Sequence, residues 1–267
     1  MTDETVDRLN RFRAEATSRG LPSEEVEEWI RVALPAVYLA EGGDGPLVAR
    51  AGGDPLLPHG VPKPSAPFVA AVDLAALPPG ATGLPLPADG HLLFFADSEV
   101  SIKGQVPDAV MYVPAGTPTA PSPLEDSGRK PYRPRELRTV WHQPSAQMPE
   151  SFAIDRWGDF PDDEHFELAD ELDDAWAHVG GYRPPWALQI GGHPVSPQND
   201  PVHYARDPGE ADSSADGEDA GDWALLATWR YGDDVTELDS GVAHWVIRHR
   251  DLAARRFDRV HRYVEMA

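Results

Sequence analysis

The heptapeptide G-G-x-P-x-x-P occurs twice in this chain, as Gly52-Gly53-Asp54-Pro55-Leu56-Leu57-Pro58 and as Gly191-Gly192-His193-Pro194-Val195-Ser196-Pro197. Paired glycines permit positive φ, and the prolines hold extended backbone beyond them, so each copy makes a rigid, tight entry into the next element. Sixteen positions after Gly52 an apolar run starts at Phe68, and the matching run after Gly191 starts at Trp223, thirty-two positions on. The excess equals one acidic stretch, Asp207 to Asp222, which carries seven acids and reads as an exposed loop insertion. A third element follows in each half, from Gly90 to Asp97 and from Gly241 to Arg248. The spacing implies an internal duplication, with half-repeats at about 36–145 and 180–267 related by a pseudo-twofold.

Around these repeats the pattern is of short strands between Pro/Gly turns. Strands are expected at 36–40, 46–50, 67–72, 90–96, 108–113, 136–142, 186–190, 223–230, 242–248 and 259–265. Residues 3–19 have helical periodicity in Val6, Leu9, Phe12 and Ala16, and Gly20-Leu21-Pro22 breaks it. Ser23 is read as the cap of a second helix whose first turn is acidic and whose apolar face is Val26, Trp29, Ile30 and Ala33. A third helix is predicted over 162–179, with Phe166, Ala169, Leu172, Trp176 and Val179 on one face and eight carboxylates on the other. A short helix is expected over 249–257, and segment 114–134, with six prolines, reads as a long loop. Parallel βαβ alternation is absent. The expected fold is therefore α+β and mostly antiparallel, with a helical segment at 1–35 ahead of a single domain at 36–267.

Forty-five acids against twenty-three bases leave a net charge of −22. Such a field repels nucleic acid and anionic membranes and favours a basic protein partner. With no cysteine, the chain has no disulfide, zinc-thiolate site or cysteine nucleophile. The charged start and the lack of a long apolar run make a cytoplasmic protein the expectation. No G-x-S-x-G elbow, phosphate-cradling glycine loop or H-E-x-x-H pair is present, so no catalytic residue, metal or cofactor is assigned. The run from Asp212 to Trp223 opens like a calcium loop but puts Trp223 where the bidentate Glu belongs. Six arginines between Arg248 and Arg262 form the basic cluster, and pairing with the acidic helix is the expectation.

At Gly52 to Pro58, Val72-Asp73-Leu74 and Leu92 to Asp97 the chain resembles the YwqG-like family of bacterial proteins, a domain of unknown function. The second half is similar at Gly191 to Pro194 with Gln198, at Trp223 onward, at Asp239-Ser240-Gly241 and at Ile247 to Leu252. The family's W-G-D-S-G is here Glu237-Leu238-Asp239-Ser240-Gly241. The resemblance implies a mostly β, internally duplicated fold and no particular reaction. Two classes of function are carried forward. One is an acidic interaction module without catalysis, in its most specific form an immunity-type protein that blocks a basic toxin. The other is an enzyme or small-ligand binder with a cleft between the half-repeats, for which His193, Gln198, Asp239 and His244 are the candidate ligand-binding residues.

Overall fold

Chain segments rich in β-branched and aromatic residues dominate after residue 33, and the computed structural model assembles them into one long antiparallel sheet. It describes residues 3–98, 101–123, 131–180, 185–206, 222–232 and 241–266. In chain order the elements begin with α1 (Asp3–Ser18), α2 (Ser23–Val32), β1 (Leu34–Ala40), β2 (Leu47–Ala51), β3 (Leu56–Pro58), β4 (Phe68–Asp73) and β5 (His91–Phe95). There follow β6 (Ser101–Gln105), β7 (Val110–Val113), β8 (Thr119–Pro121), β9 (Arg135–Ser145), α3 (Pro149–Trp157) and α4 (Asp163–Val179). The chain closes with β10 (Leu188–Gly191), α5 (Pro201–Arg206), β11 (Trp223–Arg230), β12 (Val242–Arg248), α6 (His249–Ala253) and β13 (His261–Glu265).

Eleven strands form the main sheet, in the order β6-β13-β12-β11-β10-β1-β9-β2-β4-β5-β7, and β3 with β8 makes a separate two-stranded ribbon. The centre of the sheet is β1, buried from Ala36 to Ala40 and paired with β10 on one side and β9 on the other. From this spine two arms run outward, β2-β4-β5-β7 and β10-β11-β12-β13. The sheet curls so that the arms face one another across a shared core. Phe94 packs on Trp245 with ring centroids 5.0 Å apart, and Tyr132 on Tyr231 at 5.8 Å. Between the arms, Arg262 Nη2 donates to the buried Asp97 carboxylate at 3.3 Å, and Tyr231 Oη donates to the Asp97 carbonyl at 2.5 Å.

Register is the same in the two arms at their Gly-Gly turns. Arg50, two residues before Gly52, stands opposite Ala71, which faces Leu93, which faces Met111. Gln189, two residues before Gly191, stands opposite Thr228, which faces His244, which faces Tyr263. A bulge falls between Phe68 and Ala70 in β4 and between Leu225 and Ala227 in β11. The glycine dihedrals agree as well, with φ of 67° and 70° at Gly52 and Gly53 and of 69° and 76° at Gly191 and Gly192.

The helices form a second core at the end of the β1/β9 spine. Phe12, Trp29, Phe152, Leu172 and Trp176 are buried there, with Trp176 edge-on to Phe12 at 5.0 Å and Trp29 edge-on to Phe152 at 4.8 Å. Helix α4 is N-capped by Asp162, whose side chain accepts from the His165 amide, and its apolar face packs on α1 and α3. Phe166 is only half-buried, where full burial was expected. Arg248, Arg255, Arg256, Arg259 and Arg262 have partners away from α4. Arg262, Arg256 and Arg259 pair with Asp97, Asp251 and Asp258, and Arg248 lies over Trp223. Pro22, not Ser23, occupies the cap position of α2, so Ser23 is already helical and makes no side-chain cap. The segment expected to be a loop at 114–134 contains β8, and α3, α5, β3 and β6 are elements that periodicity did not reveal. The acidic insertion lies outside the described residues except for Asp222, whose carbonyl accepts from the His249 amide.

Candidate functional site

On its outer face the first arm floors a cleft of about 1090 Å³. Strand pleating sends Ala49, Ala51, Ala70, Val72, Leu92 and Phe94 to the shared core. Their neighbours Arg50, Ala71, Asp73, His91 and Leu93 therefore turn outward and line the cleft. The β3/β8 ribbon stands beside this floor. Leu57 on β3 anchors it by packing against Phe68, Leu93, Phe95 and Val113. Leu56, one residue earlier and so on the opposite side, lines the cleft and is 51% exposed.

Charged groups in the cleft fall into two kinds. Some are committed to the fold: Asp73 accepts from the Ala75 amide at 3.0 Å, Glu41 pairs with Arg133 at 2.6 Å, and Arg138 donates to the Gly45 carbonyl at 3.3 Å. Arg50 and Glu136 are not. They face each other across the β2/β9 ladder, both exposed, and among the described residues neither makes an ion pair or hydrogen bond. A volume of this size suits a small ligand with apolar contacts and a few orienting polar groups.

In the second arm the corresponding face is closed. Helix α5 lays Val202 and Tyr204 on Trp223, Leu225, Val246 and Tyr263. Beneath it Gln189, Thr228 and His244 are fully buried. Thr228 Oγ1 and His244 Nδ1 share a hydrogen bond of 2.9 Å, whereas Gln189 Oε1, His244 Nε2 and Tyr263 Oη have no partner. Burial holds both titratable members neutral, pushing the His244 imidazole down to about 3 and the Tyr263 hydroxyl up to about 12.

A smaller cavity, about 100 Å³, opens beside the second Gly-Gly turn and is lined by His193, Gln147, Asp200, Arg206 and His249 among others. His193 Nε2 donates to the Val32 carbonyl at 2.8 Å, which leaves Nδ1 as the lone-pair nitrogen, and burial depresses its basicity. The surrounding groups hold the turn together. Asp200 accepts from Ser151 Oγ at 2.9 Å and from the Val202 amide at 2.8 Å. Asp155 takes hydrogen bonds from His203 at 3.4 Å and Gln147 at 2.6 Å, the His203 bond chiefly lowering its carboxyl to about 2. Ser151 is bonded to a carboxylate and to no imidazole, so the cluster is not arranged as a nucleophile with its base.

Of the four candidates taken from the sequence, His193 alone lines this cavity. Gln198 is exposed and donates from Nε2 to the Met266 carbonyl at 2.8 Å. His244 lies under α5, and Asp239 falls outside the described residues. Arg50 and Glu136 escaped sequence reasoning, although Arg50 is the single outward charge in a strand that otherwise reads L-V-A-A. Among the described residues there is no group of three acidic or histidine side chains that could hold a metal ion, and no helix long and apolar enough to cross a membrane.

Fold and cleft together define an α+β protein built on a curled antiparallel sheet, with a ligand-sized hollow on one arm. Residues 49–265 match the model of the domain of unknown function DUF1963, and the chain belongs to that family. No curated protein matches it.

Proposed function

We propose that this chain is a cytoplasmic ligand-binding protein of YwqG-like type, duplicated within itself, whose ligand occupies the cleft on the first arm. One observation carries the reading: two arms of the same register are roofed differently. In the second, α5 fills the space over Thr228 and His244 with Val202 and Tyr204. In the first, the ribbon packs through Leu57 on Phe68, Leu93, Phe95 and Val113, and about 1090 Å³ stays open beside Arg50 and Ala71. The matched register, the matched bulges and the like dihedrals of the two Gly-Gly turns support the duplication. A concave space of that size beside an exposed leucine has the dimensions and the apolar contact that a small ligand needs.

Ala71→Trp, which places an indole over the middle of the floor, tests the reading. A fragment screen followed by amide chemical shifts is expected to find ligands perturbing Ala71 and Leu93 in the native chain and none in the variant, with Tm maintained. Equal binding by both proteins would place the ligand elsewhere, and the cavity lined by His193 becomes the alternative.

A basic protein partner is the second reading, favoured by the exposed carboxylates of Asp170, Glu171 and Asp174 on α4 and by the net charge of −22. Charge reversal at those three positions is expected to abolish capture of a cationic partner in a pull-down. Retention of the partner by the reversed chain excludes α4 as its seat.

A further inference from the structure

Eighteen arginines lie within the described residues, and seventeen of them have a hydrogen bond, an ion pair or an aromatic ring to lie over. Arg13, Arg31 and Arg156 hold carboxylates, while Arg230, Arg248 and Arg255 lie on the rings of Trp186, Trp223 and Tyr112. Arg50 is the exception. In a protein with about two acids per base, a guanidinium with no partner of any kind stands out among the described residues, and this one projects from the floor of the cleft. Its cross-strand neighbour Glu136 is likewise unpartnered.

We propose that Arg50 and Glu136 are the recognition pair for the head group of an α-amino acid. This deepens the cleft reading above and rests on it. Directly opposed residues on antiparallel strands hold their Cβ atoms ~4.5–5.5 Å apart. Side chains that start from opposed positions on one face can reach the same ligand, and a cation beside an anion suits one whose carboxylate and ammonium share one carbon. Arg50 takes the carboxylate in a bidentate fork, and Glu136 takes the ammonium. The side chain then runs past the small Ala71 toward Leu93, Val113 and Leu56, which favours a large apolar one. Glu136 and Asp54 in the lining oppose polyanions, so a nucleotide or sugar phosphate does not fit the same charges.

Calorimetry and amide shifts with L-phenylalanine, L-phenylalaninamide, N-acetyl-L-phenylalanine and benzyl alcohol test the assignment. L-Phenylalanine is expected to bind with shifts at Ala71 and Leu93, and loss of either charge to weaken binding by at least about tenfold, the worth of a charge-assisted hydrogen bond. Arg50→Gln is expected to bind the amide and the free acid alike, and Glu136→Gln to do the same for the acetylated and free forms. Both residues are exposed, so both variants keep the fold. Equal binding of all four probes to the native chain overturns the head-group assignment but leaves the cleft as a ligand site. Absence of any shift at Ala71 and Leu93 with all four, benzyl alcohol included, overturns both.

Discussion

At Gly52 the backbone runs so close to the segment leading into β9 that a Cβ would sit 2.2 Å from the Arg133 carbonyl oxygen, on a φ of +67°. Two penalties therefore combine: left-handed backbone, and a clash against backbone that cannot rotate away. Gly60 separates them, since its φ is +78° but nothing lies within 4 Å of the added carbon. Gly60→Ala is expected to cost about 1 kcal/mol and Gly52→Ala about 3 kcal/mol or more, read as Tm. Similar losses from the two variants would show that the close approach contributes nothing. His244 gives a prediction of opposite character. Its folded value of about 3 lies below the ordinary 6.5, so the unfolded chain takes up the proton first. Stability from this residue is complete above pH 6.5 and drains away as the pH falls toward 3, by about 5 kcal/mol in all. Denaturant midpoints across that range are expected to fall more steeply for the native chain than for His244→Gln; parallel curves would mean that the imidazole is not held neutral by burial.

At the scale of elements, α4 shows which of its two faces governs. Trp176 and Leu172 are 3% and 0% exposed, while Glu167, Asp170, Glu171 and Asp174 point to solvent. Each like-charged pair four residues apart costs ~0.2–0.5 kcal/mol, against ~3–5 kcal/mol for the loss of a buried indole. Trp176→Ala is thus expected to lower Tm severely. The double variant Glu171→Lys, Asp174→Lys, which places each lysine four residues after an acid, is expected to leave Tm unchanged or raise it slightly. A marked drop in the double variant would mean that the carboxylates support the fold. Strands with strong alternation or long apolar runs, such as β1, β4, β11 and β12, were legible to within two residues. The missed ones were short, and their partners lie far along the chain: β3 meets β8, and β6 meets β13. Nothing in five residues that read S-I-K-G-Q discloses a partner at the C-terminus. The cleft was illegible for a related reason, because the Gly-Gly motif marks both arms equally and does not say which roof closes.

For the molecule as a whole, the family match begins at residue 49, yet the strand at the centre of the sheet ends at Ala40. Removing β1 strips β9 and β10 of their shared partner and takes Val37 and Leu39, both fully buried, out of the core. A fragment of residues 49–265 is expected to lack dispersed amide resonances and a cooperative thermal transition; a well-folded fragment would show that the arms do not need the spine. The antiparallel α+β class followed from short alternating strands and the absence of parallel βαβ units. The curl that brings Phe94 onto Trp245 depends on twist and bulges spread over eleven strands, which no local window contains.

The placement of β6 has a consequence for biosynthesis. By sequence it belongs among the strands of the first arm, but it is hydrogen-bonded to β13 at the free edge of the second, and Gln105 reaches the carbonyl of Asp258, 153 residues downstream. A ribosome therefore adds about 150 further residues before this strand meets its neighbour. Until then the nascent chain carries an open β-edge of the kind that invites wrong pairing, and chaperone occupancy during translation is expected to fall only after the last strand emerges.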